Sequence, residues 1–166
     1  APVFAGSNFF ALNANHEMLS GGKPYFNFLA QPQSRLRPAL QQEGSYFCLR
    51  NDRYQIIGID TAFHKIGRHD KRELNDWLRQ RLEYVKKSSP ARCNILLSQN
   101  EAFDLGKNEL KPLYHDLKEF VTNGLIDFWF WGNAHYGALY AKTEAAPFVG
   151  SCVGHGGHPI YRQEMI

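Results

Sequence analysis

Excess charge, cysteine and long apolar runs are all scarce in this chain, and each scarcity narrows what it does. The formal net charge is only +3 at pH 7 over 166 residues. That excess is too small to mark a nucleic-acid surface. The basic residues gather mainly on one helical stretch, where they read as a solvated face. No apolar run reaches the length that spans a bilayer, and no signal peptide is visible, so no membrane partner is expected. Cys48, Cys93 and Cys152 stand far apart in separate apolar runs. An odd count without paired spacing argues against a disulfide framework and against a thiolate metal site. Buried, reduced thiols fit better, and with them a reducing compartment, so a cytoplasmic location is the expectation. Internal repeats and low-complexity segments are also lacking. Residues 1–166 therefore read as a single domain, long enough to bury a sizeable core.

Aromatic residues, by contrast, are plentiful: three Trp, eight Tyr and twelve Phe, largely inside strand-like runs. The stretch from Leu125 to Tyr136 organises the rest. Ile126 to Trp131 follows a helix-ending Gly124 and predicts a short strand buried on both faces. It stops at Gly132, and Asn133 and His135 follow, with side chains that hydrogen-bond or bind metal. Ligands of open sheets collect beyond strand ends, so this loop is a site candidate, although both residues are also ordinary in turns.

Two other runs share that arrangement. Phe9 to Leu12 reads as a strand ahead of Asn13-Ala14-Asn15-His16-Glu17, and Cys93 to Ser98 as a strand ahead of Gln99-Asn100-Glu101. Ser45 to Arg50 and Tyr54 to Asp60 form a hairpin about Asn51-Asp52. Asp70 with Glu73 makes a capping box for a helix whose apolar stripe is Leu74, Trp77, Leu78, Leu82 and Val85, with Pro90 marking its stop. Lys107 to Asn123 predicts a second helix, with Pro112 tolerable only in its first turn and Gly124 as a left-handed cap. Ala138 to Lys142 and Phe148 to Val153 are strand-like, and Gly154-His155-Gly156-Gly157-His158-Pro159 is a loop that lets the backbone pass close to a neighbour. Strands alternating with helices, then consecutive strands, predict a layered α/β protein with a mixed sheet.

Ala14-Asn15-His16-Glu17, Leu97-Ser98-Gln99-Asn100 and Gly132-Asn133-Ala134-His135 stand in this order along the chain. Together they resemble the calcineurin-like metallophosphoesterases, whose signature includes Gly-Asn-His-Asp/Glu, a later strand ending in His, and Gly-His-x-His. The resemblance covers nearly the whole chain. It implies an αββα sandwich lacking its N-terminal portion, and a site where two metal ions polarise a phosphoester and activate water. It puts Asn15, Gln99 and Asn133 at ligand positions of the second metal and His135 at one of the first. His16 takes the position that contacts phosphate or protonates the leaving group, with Glu17 orienting it.

The departures carry as much meaning. Gln99 and Asn133 replace imidazoles by neutral amides, poor ligands for zinc or iron. The family's Asp-x-His and Gly-Asp-x-x-Asp motifs do not occur ahead of Ala14, so the bridging aspartate is lacking. The expectation is a degenerate phosphoesterase domain without hydrolase activity of its own, serving structure or interaction. No cofactor is expected on the isolated chain, and manganese, iron or zinc only if the missing motifs are supplied. The expected partner is another protein chain or a missing N-terminal segment, set against a strand near Phe9. The alternatives are a hydrolase completed by such a segment or chain, and a module that binds phosphate or nucleotide without turnover.

Overall fold

Short runs of β-branched and aromatic residues build one mixed sheet. The computed structural model describes residues 9–31, 42, 44–63, 71–88, 92–104 and 109–154. Its strands are β1 (Phe47–Arg50), β2 (Tyr54–Ile59), β3 (Cys93–Ser98), β4 (Phe103–Asp104), β5 (Glu109–Leu110), β6 (Phe128–Trp131), β7 (Gly137–Tyr140) and β8 (Val149–Val153). Six of them form a sheet in the order β1-β2-β3-β6-β8-β7, and β4 and β5 make a separate two-stranded ribbon. The inner strands β2, β3, β6 and β8 run parallel, while the two edge strands are antiparallel to their neighbours. This is an α/β architecture. In register, Ile59 lies opposite Ser98, Ser98 opposite Trp131 and Trp131 opposite Cys152, so four strands end along one edge.

The hairpin turn is set by Asn51, whose Oδ1 accepts the N–H groups of Arg53 and Tyr54, both at 2.8 Å. Helices α1 (Lys23–Leu29), α2 (Lys71–Ser88), α3 (Pro112–Asp116) and α4 (Lys118–Thr122) complete the elements, with a 3-10 turn at Glu17–Ser20. Leu74, Leu78, Leu82 and Val85 of α2 are buried, a stripe at helical spacing, and Trp77 is half-buried beside it. Leu74, Leu78 and Leu82 join Ile57, Ile59, Leu96, Trp129 and Trp131 from one sheet face and Leu117, Phe120 and Val121 from the α3–α4 segment in a single core. No helix among the described residues is long and apolar enough to cross a membrane.

Several elements differ from the sequence reading. The second helix does not begin at Lys107. Glu109 and Leu110 pair with Phe103 and Asp104 as a ribbon, Pro112 opens the helix, and the helix breaks at Leu117. A proline inside the predicted run has no N–H for the preceding turn, so the helix starts where that N–H is not needed. Its end matches expectation. Gly124 has φ 63°, its N–H reaches Val121 O at 3.0 Å, and Leu125 N–H reaches Phe120 O at 3.0 Å, the bond pair of a Schellman cap.

Phe9 to Leu12 is not a strand. The side-chain amide of Gln42 takes the place of a strand partner there, donating to Ala11 O at 2.9 Å and accepting from Ala11 N at 2.8 Å. The expected aromatic strand is shorter, Phe128–Trp131, and buried on one face only. Trp129 and Trp131 are covered, while Phe128 and Phe130 are half-buried. The capping box at Asp70 and the stop at Pro90 lie outside the described residues, as do His155 to Pro159. The cysteines are free thiols, with Cys152 buried and Cys48 and Cys93 half-buried.

Candidate functional site

The common edge of the parallel strands carries the polar loops. Each is fixed from below. At β3, the buried indole of Trp129 donates to Ser98 Oγ at 2.8 Å, and Ser98 in turn donates to Asn100 O at 2.8 Å. The turn after Ser98 is thereby held, and Gln99 stands at its crest, 8% exposed. Asn100 N–H is tied to Thr61 Oγ1 at 3.1 Å, joining the end of β3 to the end of β2. Beyond β6 the chain makes two consecutive tight turns, with Ala134 N–H on Gly132 O at 2.7 Å and Tyr136 N–H on Ala134 O at 2.8 Å. Asn133 holds φ at 58° within them, a left-handed conformation that asparagine tolerates better than most residues. Cys152 anchors this loop to β8, its thiol donating to Tyr136 O at 3.2 Å. Burial pushes that thiol above its ordinary range. A Cβ at Gly154 would stand 1.9 Å from Ala134 O, so the glycine allows the chain after β8 to press on the loop.

These loops bring Asn15, Gln99 and Asn133 into one contact. The Nε2 of Gln99 donates to Asn133 Oδ1 at 2.6 Å and to Asn15 Oδ1 at 3.1 Å. One primary amide thus spends both protons on two oxygens from loops that are 84 and 34 residues away. The side-chain oxygen of Gln99, Oε1, is buried without a hydrogen-bond partner among the described residues. Asn133 continues the chain by donating from Nδ2 to Glu101 Oε2 at 3.3 Å.

The remaining predicted residues stand apart from this clasp. His16 is exposed and occupies the cap position before the 3-10 turn, without a side-chain capping bond. Glu17 does not orient it. Its carboxylate accepts Ala14 N–H at 3.1 Å, and Gly22 N–H bonds Glu17 O at 3.0 Å, so Glu17 stabilises its own turn. A carboxylate three residues after a free N–H meets it at short range, and that local bond wins. His135 is exposed, two residues beyond Asn133.

Sequence reasoning missed a buried pair beneath the Asn15 loop. Asn13 and Asp60 are 0% and 1% exposed, and Asn13 Nδ2 donates to Asp60 Oδ2 at 3.2 Å. The other oxygen of Asp60 accepts Ala62 N–H at 3.1 Å and Phe63 N–H at 3.0 Å. Three donors hold that carboxylate, which pins the Asn15 loop to the end of β2. Its negative charge adds to burial in raising the nearby Tyr25 hydroxyl well above the ordinary phenol range. That Asp60 directly follows a strand is its one local sign; its pairing with Asn13, 47 residues away, leaves none.

Neither the clasp nor its surroundings suit a transition metal. Asn15, Gln99 and Asn133 are uncharged, and the oxygens of Asn15 and Asn133 are already taken by the Gln99 amide protons, which leaves the Gln99 oxygen as the one unengaged amide oxygen of the three. Among the described residues no three His, Cys, Asp or Glu side chains lie close enough together to hold an ion.

No family model and no curated protein matches the chain. Among solved structures it is similar to one described as GAP50, the anchor in the inner membrane complex of Plasmodium. The TM-score is 0.65 at 13% identity, over 90% of this chain and 49% of that one. The chain therefore spans about half the length of that protein, and the likeness is one of fold.

Proposed function

We propose that this chain is a degenerate metallophosphoesterase-like domain, the later part of an αββα sandwich, that does not hydrolyse phosphoesters by itself and serves structure or interaction. The amide clasp carries this reading. The three residues that the sequence resemblance assigns to one cation are joined instead by the two protons of the Gln99 amide. Those protons do what a cation would do there: they draw two oxygens from separate loops together. A divalent ion entering would have to displace them and would meet three neutral amides and, beside them, a Glu101 carboxylate already engaged by Asn133 and Lys111.

The sheet supports the interaction role. Its face away from the core bears Leu49, Ile56, Ile95, Leu97, Phe128 and Phe130 in register, and no charged side chain. These six are half-buried and lie outside the core, Phe10 and Leu12 pack over Phe47 and Gly58 at the β1–β2 end of the same face, and toward its other end Leu139 is 76% and Val153 57% exposed. A face of that kind favours cover by another apolar layer. The reading assigns it to another protein chain or a preceding segment, rather than the edge near Phe9. That a protein of similar fold is described as an anchor agrees with a binding role.

A second reading has one observation in its favour. About half of the similar structure has no counterpart here, enough for a segment that would complete a hydrolase with manganese, iron or zinc. Asp-x-His and Gly-Asp-x-x-Asp motifs in a preceding segment or partner chain would separate the two; metal content after dialysis, paired with turnover of an aryl phosphate in added manganese, tests the degenerate reading on the chain itself. The expected result is no stoichiometric metal and no turnover. Two bound ions per chain, or turnover abolished by His16→Ala, would overturn the degenerate reading and establish the hydrolase.

A further inference from the structure

The end of the sheet away from the clasp holds a second polar arrangement. Gln55, 0% exposed, is its hub. Its Oε1 accepts from Arg50 Nε and from Cys48 Sγ, and its Nε2 donates to Arg81 O at 3.3 Å and to Asn94 Oδ1 at 3.0 Å. Arg50 lies opposite Gln55 in register, Asn94 lies opposite it on the other side, and Arg92 stands immediately before β3, two residues from Asn94. Burial raises the Cys48 thiol, and the charges of Arg50, Arg81 and Arg92 each offset part of that rise, so all three stand near one sulfur.

Like charges gathered in this way repel one another. Among the described residues no carboxylate forms an ion pair with any of the three. Of the acids on adjoining segments, Glu83 pairs with Lys87, Asp127 accepts the backbone N–H of Asn94 at 2.8 Å, and Asp52 is exposed in the hairpin turn. Residues 89–91, next to Arg92 in the chain, include no acid. The arginines are held in place, yet their donors are not spent. Arg50 lies 4.7 Å from the Tyr84 ring centre and Arg81 5.5 Å from that of Trp77. Among the described residues, Arg50 uses only its Nε, the Arg81 guanidinium makes no hydrogen bond, and Arg92 Nε is buried with none. A buried N–H without a partner points to a group that the chain itself does not supply.

We propose that Arg50, Arg81 and Arg92 form a site for a phosphate group, whose oxygens accept from the unspent guanidinium donors and whose charge offsets their mutual repulsion. Free phosphate, a small phosphomonoester and a lipid headgroup share that chemistry. The site lies at the opposite end of the parallel strands from Gln99, so it is independent of the degenerate reading of the clasp.

The test is a titration of inorganic phosphate into isotope-labelled chain, at an ionic strength held constant with sodium chloride, followed by NMR. Saturable shifts are expected at Arg92 Nε and at the amides of Cys48 and Gln55. Arg92→Gln should weaken binding by about tenfold. Arg53→Gln removes an equal charge from the exposed turn at the same end and should change it by less than about twofold. Arg81→Gln, judged against the same control, replaces Arg92→Gln if that chain does not fold. Phenyl phosphate in place of the free ion shows whether a phosphomonoester is taken. Sedimentation with phosphatidylcholine vesicles containing phosphatidic acid, but not with phosphatidylcholine alone, would mark a headgroup as the source. No saturable shift at these residues, or equal weakening by Arg92→Gln and Arg53→Gln, would overturn the inference.

Discussion

Gln99 reaches about as far as a histidine but follows a different logic of protons. An imidazole offers a lone pair to a metal and titrates near neutrality; a primary amide offers two protons and does not titrate. At the crest of β3 those two protons close on Asn15 and Asn133. Gln99→Leu removes both donors and leaves the half-buried Asn133 oxygen unmatched, while exposed Asn15 regains water, so a loss of ~1 kcal/mol of stability is expected in urea unfolding. A midpoint unchanged from the parent would mean that the clasp is not formed in solution. The meeting of Asn15, Gln99 and Asn133 was legible because each stands in a polar loop that follows a short apolar run. Asn13 and Asp60 were not, because a buried carboxylate bonded to a residue 47 positions away leaves no local pattern.

Among the elements, the strands with strong alternation or aromatic runs were legible, and the ones set by distant side chains were not. β3 falls at Cys93–Ser98 as its composition indicates. Phe9 to Leu12 has the composition of a strand too, but the partner of its backbone is the Gln42 side chain, 31 residues on. Likewise the apolar spacing from Leu110 to Val121 looks continuous, yet the Phe103–Asp104 ribbon captures its first residues. The junction of β8 with the Asn133 loop gives a test at this scale. A methyl group at Gly154 has no room against Ala134 O, so Gly154→Ala should cost ~1–3 kcal/mol as the loop shifts to admit it. Resonances of Asn133 and Ala134 should move in the same variant; a melt and spectrum matching the parent would show that the chain after β8 does not press there.

For the molecule as a whole, the titrating groups that feel burial most point one way. Burial raises the thiols of Cys48, Cys93 and Cys152 and the hydroxyl of Tyr25. The folded chain then holds these protons more tightly than the unfolded one, so their contribution is fully present below the unfolded thiol value of about 8.5 and is lost as pH rises through the folded values. Melting temperature should therefore fall steadily from about pH 8 to about pH 10.5. A flat profile over that range would refute the burial of these groups. The fold class itself follows from strand order and crossover helices, which sequence patterning reports well; what lies over the outer face of the sheet does not, because alternation says which residues share a face and not what covers it.

Asn15 and Gln99 are joined across 84 residues of chain. A contact between such distant loops must wait until the sheet has aligned the strand ends that carry them, since closing so long a loop early costs entropy that a single amide cannot offset. The clasp is then a latch, absent at the folding barrier and closed only behind it. Its energy accordingly governs how long the native state persists rather than how fast it is reached, and the Gln99→Leu chain should refold at the parental rate while opening several times sooner.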